Sequence, residues 1–194
     1  MTHRPLFVAA LLLAASAASA VSPGTWSGKT AGSAGTTSGT GAAGAIRGSG
    51  TTTGGSGTPV SVSVSSWTTA AEADELAKLL QSGDTKGFLA ALNGYDHGSV
   101  TIGSTRVPVD FAWSGTAGGK SVVVVASAKP FSASGARGGA SGAAVGYLRL
   151  VLDSSEQGEG AMYSTTQVAF QGASGELVAR AGASSATKLV DISR

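Results

Sequence analysis

The chain has 194 residues, 30 glycines, no cysteine, 12% charged residues and a formal net charge of +2. An ordinary domain carries about 25% charged residues and about 7% glycine, so charge is about half the usual level and glycine about double. Without cysteine there is no disulfide framework, thiolate zinc site, thiol nucleophile, iron–sulfur cluster or lipid-bearing cysteine. The small positive excess forms no Lys/Arg cluster of the kind that grips nucleic acid.

Arg4 precedes the apolar run Leu6–Leu13, and Ala18-Ser19-Ala20 supplies a small-x-small pattern. That layout predicts a secretory signal peptide over residues 1–20, cleaved after Ala20. The run is well short of the ~20 apolar residues a spanning helix needs, and no later segment reaches that length. The product is expected to be soluble, secreted or periplasmic, with no transmembrane segment after signal cleavage. Twelve of the 30 glycines fall between residues 21 and 59, amid Ser, Thr and Ala. Trp26 and Ile46 are nearly the only large apolar side chains there, too few to offset chain entropy, so 21–59 reads as a disordered linker. Residues 60–194 are expected to form a single domain.

Within that domain Val60, Val62 and Val64 alternate with serines, the pattern of a half-buried strand that Trp67 ends. Thr69-Ala70-Ala71-Glu72 is a capping box opening a helix to about Gln81, with Ala73, Leu76, Ala77 and Leu80 on its buried face. Ser82-Gly83 stops it. Asp84 caps a second helix from Thr85 to Asn93, whose stripe is Phe88, Leu89 and Leu92. The period then changes to two. Val100 and Ile102 mark a strand. Val107, Val109, Phe111 and Trp113 are predicted to share one face of the next, with Pro108 arguing for an edge. Gly115–Gly119 is a turn. Val122–Val125 is a continuous β-branched run, covered on both faces. Ser132–Ala144 is a Gly/Ala/Ser loop. Leu148, Leu150 and Leu152 then oppose Tyr147, Arg149 and Val151. After a turn at Ser154–Gly158, Met162, Val168 and Phe170 line a strand, and Glu176–Ala181 and Lys188–Ile192 close the series. The predicted fold class is α+β: an N-terminal strand, a helix hairpin, then a mostly antiparallel twisted sheet of about six or seven strands, partly closed.

Few residues carry chemistry. Ser114–Ser121 and Pro23–Thr30 each lack only the first glycine of a phosphate loop, but Lys120 leads into a strand rather than a helix and Lys29 lies in the linker, so both read as turn or spacer. The expected mature chain holds one histidine, His97, between Asp96 and a turn glycine, with Ser99 close by. His97 and Asp96 are weak catalytic candidates, since residues adjacent in sequence seldom converge as a Ser-His-Asp relay must. One histidine cannot build a His-based zinc site unaided, and Asp153, Glu156 and Glu159 lack the alternate spacing of a calcium loop, so no metal and no cofactor are expected. Tyr147 and Arg149 lie opposite the leucines. The pattern favours an outward, solvent-washed face; if the sheet curls instead, that face lines a small cavity with Arg149 as an anion contact.

Several core and turn patterns carry a resemblance. These are Trp67-Thr68-Thr69 opening a helix, two short helices split by Ser82-Gly83, Gly98–Ile102, Val122–Ala126 before Lys129-Pro130, Tyr147-Leu148-Arg149-Leu150 with Leu152-Asp153, and Gly158-Glu159-Gly160. Over residues 67–170 the chain resembles a group of exported bacterial proteins of uncharacterised function, whose members carry a more charged, aromatic segment in place of Ser132–Ala144. The resemblance implies no catalytic residue. The resulting expectation is an exported, non-enzymatic module that binds a partner or small ligand in the cell envelope. The alternatives are a small hydrolase using His97 and Asp96 with a serine, and a structural envelope component.

Overall fold

A computed structural model describes residues 21–31, 57–132, 144–171, 175–180 and 186–194. The expected signal peptide, residues 32–56 of the expected linker and residues 133–143 of the expected loop lie outside the described residues.

The valine alternation does make a strand, β2 (Pro59–Val64), with Val60, Val62 and Val64 all buried. Both helices form where their caps predict. In α1 (Ala70–Gln81) the Thr69 hydroxyl accepts from the Glu72 amide at 3.3 Å, and Glu72 Oε2 accepts from the Thr69 amide at 2.7 Å. In α2 (Thr85–Leu92) Asp84 Oδ1 accepts from the Gly87 amide at 2.9 Å.

The fold class is not the predicted one. Among the described residues the chain is mostly β, with ten strands in a nearly closed antiparallel barrel and only two short helices. The remaining strands are β1 (Thr25–Thr30), β3 (Gly98–Ile102), β4 (Thr105–Val109), β5 (Phe111–Ala117), β6 (Lys120–Ser127), β7 (Ala144–Leu152), β8 (Gly158–Gln171), β9 (Glu176–Ala179) and β10 (Thr187–Ser193). Their order is β4-β3-β2-β1-β10-β8-β7-β6-β5, with β9 beside the far half of β8.

Two features account for the difference. First, β1 lies in the span expected to be linker, yet it pairs with β2 on one side and β10 on the other and sends Trp26 into the interior at 1% exposure. Residues 32–56 therefore do not precede the domain; they join two neighbouring strands, whose ends meet through Thr30 N–H donating to Thr58 O at 2.9 Å.

Second, the stretch read as one strand from Val107 to Trp113 is two. Only Asp110 separates β4 from β5. The ladder to β3 runs on through His97 N–H donating to Val109 O, and the ladder to β6 begins with Asp110 N–H donating to Ala126 O. One bent strand thus pairs with both ends of the sheet and brings it round on itself, the corner role of a bulge or bend. The bend also splits the face expected to be shared: Val107 and Val109 pack into the interior, whereas Phe111 and Trp113 pack outside. Pro108 sits on β4, which ends the strand order, as its missing donor requires.

Two cores result. The interior holds Trp26, the valines of β2, Val123, Val125, Leu148, Leu150 and Leu152. Outside, Leu76, Phe88 and Leu92 of the helices and Leu177 of β9 cover Phe111, Val122, Val124 and Tyr147. The Val122–Val125 run is buried on both faces, as its composition predicts. No helix among the described residues is long and apolar enough to cross a membrane.

Candidate functional site

Arg149 and its surroundings emerge from the register of three strands. Arg149 pairs with Val124 of β6 and Ala161 of β8, so all three face outward. Its neighbour on that face, Tyr147, is covered by β9, and its hydroxyl donates to Leu177 O at 3.2 Å. Burial pushes the Tyr147 phenol well above its ordinary pKa, so the ring is a neutral wall. Tyr163 stands edge-on to it at 5.9 Å between ring centres.

Two hollows adjoin here, both lined by Arg149 and Ala161. One, of about 500 Å³, is bounded by Lys120, Asp153, Gln157 and Glu159, with Gly158 and Gly160 along β8. The other, of about 530 Å³, is bounded by Tyr147, Tyr163, Gln171 and Glu176. Tyr147 and Arg149 both stand on the outer face of the nearly closed barrel, Arg149 in the walls of both hollows and Tyr147 in the second. Glu176 Oε1 receives Arg149 Nε at 3.5 Å, a long contact that does not use the two NH2 groups of the guanidinium fork. The acids at the far rim are otherwise engaged. Asp153 caps its own turn, with Ser155 Oγ at 2.6 Å, and that bond, together with the Gln157 and Ser155 amides, lowers its pKa. Glu159 holds Lys188 at 2.8 Å and is lowered by it.

His97 lies elsewhere, where β3 begins. Gly98 has φ +139°, and a Cβ there would run into Ser63 O, so only glycine lets the chain enter β3 at this angle. The consequence is that His97 is tucked in at 5% exposure rather than left on an open turn. Its Nδ1 is 3.0 Å from Ser66 Oγ, and its Nε2 is 3.8 Å from Glu72 Oε2 with no hydrogen-bond partner. The Thr69 amide bond, above all, holds the Glu72 carboxyl below its ordinary pKa. Asp96 is not brought to the imidazole: its Oδ1 accepts from the Gly98 amide at 3.2 Å. Ser99 is buried opposite Pro108.

The sequence missed Ser66 and Glu72 as partners of His97. The available signal was the antiparallel pairing of the two valine-bearing strands: once Val64 faces Gly98, residues 65 and 66 must flank His97.

A third hollow, of about 500 Å³, runs between Ala70, Ala73 and Ala77 of α1 and the rings of Phe111, Trp113 and Phe170. Among the described residues no three His, Asp or Glu side chains gather in a way that would hold a metal ion. Comparison of the chain with protein-family models, with curated proteins and with solved structures found no match.

Proposed function

We propose that the barrel is a binding module for a small organic carboxylate, held in the cleft over β7 and β8 with Arg149 as its anchor, and that the protein does this work after export to the envelope or medium. One observation carries the reading: Arg149 stands in the wall of two adjoining hollows with its NH2 fork uncommitted to Glu176. A guanidinium fork matches a carboxylate bidentately. Lys120 adds a second cation to the same cleft, and glycine and alanine along β8 leave room beside the strand. The Tyr147 and Tyr163 rings offer an apolar wall to the rest of the ligand.

The test is a thermal-shift and calorimetric screen of the purified protein against mono- and dicarboxylic acids. Binding should vanish in Arg149→Ala while that variant melts near the wild-type temperature, because the Arg149 side chain is 35% exposed and its one ion pair is long. A screen in which no carboxylate separates wild type from Arg149→Ala overturns the proposal and favours a purely structural role.

A further inference from the structure

We propose that Ser66 is a nucleophile activated by His97 and aligned through Glu72, which gives the protein an acyl-transfer activity toward small carboxylic esters at a site separate from the Arg149 cleft. Ser66 is exposed on the bend after β2, so its hydroxyl meets reagents from solution. Its Oγ is 3.0 Å from His97 Nδ1, within the reach a general base needs. The imidazole is 95% shielded, which fixes its plane, and its second nitrogen faces a carboxylate at 3.8 Å. A buried Nε2 with no hydrogen-bond partner is costly in a finished core. It is serviceable in a relay, where the imidazolium that forms on proton uptake sits beside Glu72. The nitrogens are used in the reverse of the commonest triad order: Nδ1 faces the hydroxyl as the base, and Nε2 faces the carboxylate.

Two backbone donors lie next to the hydroxyl. The Ser65 amide donates to His97 O, the Thr68 amide to Ala112 O and the Thr69 amide to Glu72. The amides of Ser66 and Trp67 have no partner among the described residues. They are the groups available to an oxyanion. The three hollows described above do not include Ser66 in their walls, and a short acyl group on a good leaving group is the probe that needs no such pocket.

The step balances without a cofactor. Ser66 Oγ bonds to the acyl carbon as its proton passes to Nδ1, and the tetrahedral adduct expels the alcohol oxygen, which takes that proton. Water then attacks the acyl-serine, giving a proton to Nδ1; the carboxylic acid leaves and Ser66 recovers its hydrogen.

The experiment uses the purified full chain with p-nitrophenyl acetate and, separately, a fluorophosphonate, followed by peptide mapping. A single adduct on Ser66 is expected, with a burst of p-nitrophenolate. Ser66→Ala, an exposed substitution that leaves the fold intact, should lose the adduct and lower turnover on the order of 100-fold or more. His97→Gln should do likewise. Glu72→Gln keeps a residue able to complete the capping box; it should lower kcat about tenfold at unchanged KM, a split that helix fraying would not produce. Adducts spread over other exposed serines, or wild-type turnover in Ser66→Ala, overturn the proposal. Unchanged kcat in Glu72→Gln overturns the role given to Glu72.

Discussion

Trp26→Ala probes the least expected part of the molecule. Trp26 is 1% exposed, lies opposite Val62 across the β1–β2 ladder, and has the Arg194 guanidinium 5.8 Å from its ring centre. Truncating a buried aromatic side chain costs about 3–5 kcal/mol. Against the roughly 5–15 kcal/mol that holds a domain together, that is about a fifth of the total at least and most of it in a marginal domain. At about 2–4 °C per kcal/mol for a chain of this size, the melting temperature should fall by about 6–20 °C. Trp26→Phe sharpens the test. It retains an aromatic ring and removes a buried indole N–H that has no partner, an unmet bond worth about 1–3 kcal/mol. The lost area and the relieved donor nearly offset, so the phenylalanine variant should fall within about 1 kcal/mol of wild type. Urea titration followed by far-ultraviolet dichroism reads both changes without relying on the indole being removed. An unchanged midpoint in Trp26→Ala would refute the placement of β1 in the barrel and return residues 21–31 to the linker.

The remaining predictions concern the corner, the entry to β3 and the β1–β2 connection. Asp110 is 2% exposed and accepts from the Ala128 amide at 2.8 Å and Ser127 Oγ at 3.2 Å, yet desolvation still raises its pKa above the ordinary 3.8. The folded state therefore holds this proton more tightly than the unfolded state. The contribution favours folding below pH 3.8 and is progressively lost as pH rises through the elevated folded value. Chemical denaturation across pH 3–7 should show that slope in the wild type and a flatter one in Asp110→Asn; equal slopes would dismiss the burial argument. Gly98→Ala should cost about 1–3 kcal/mol in a melting experiment, since it adds a Cβ at φ +139° against Ser63 O, and should weaken any Ser66 labelling with it. Deleting residues 33–55 should move the melting temperature by no more than about 5 °C, because strand ends already bonded at 2.9 Å gain little from a longer closure. A fall as large as that of Trp26→Ala would show that the deleted stretch belongs to the core.

The elements whose own side chains announce them were legible. Val60, Val62 and Val64 declare a strand, Thr69 and Glu72 declare a helix start, and the unbroken Val122–Val125 run declares a strand with two covered faces. β1 was hidden because TWSGKT holds one bulky inward residue. At Gly28 the space a side chain would occupy is filled from the opposite strand by Ile192. Composition scores such a strand as spacer, although its backbone and its gap are both in use. The corner at Asp110 was hidden for another reason. Periodicity follows one strand at a time, and the change of partner from β3 to β6 leaves only a buried aspartate in a run of apolar residues. The same limit applied to the imidazole: His97 was visible, but Ser66 reaches it only through a pairing 31 residues away. Arg149 was found with its face because it alternates cleanly with the leucines of its own strand.

The placement of β1 between β2 and β10 has a bearing on how the molecule is made. Among the described strands β1 comes earliest in the sequence and β10 latest, yet they lie side by side, and Arg194 closes the join by donating to Pro23 O at 3.1 Å and gripping Glu156. Until β10 docks, the barrel has a slot where it belongs, open along one side of β1 and one side of β8. Folding that depends on a contact spanning nearly the whole chain is slow, in the millisecond-to-second range of β topologies rich in distant pairings. A chain on which β10 has not yet docked therefore keeps one side of β1 and one side of β8 unpaired.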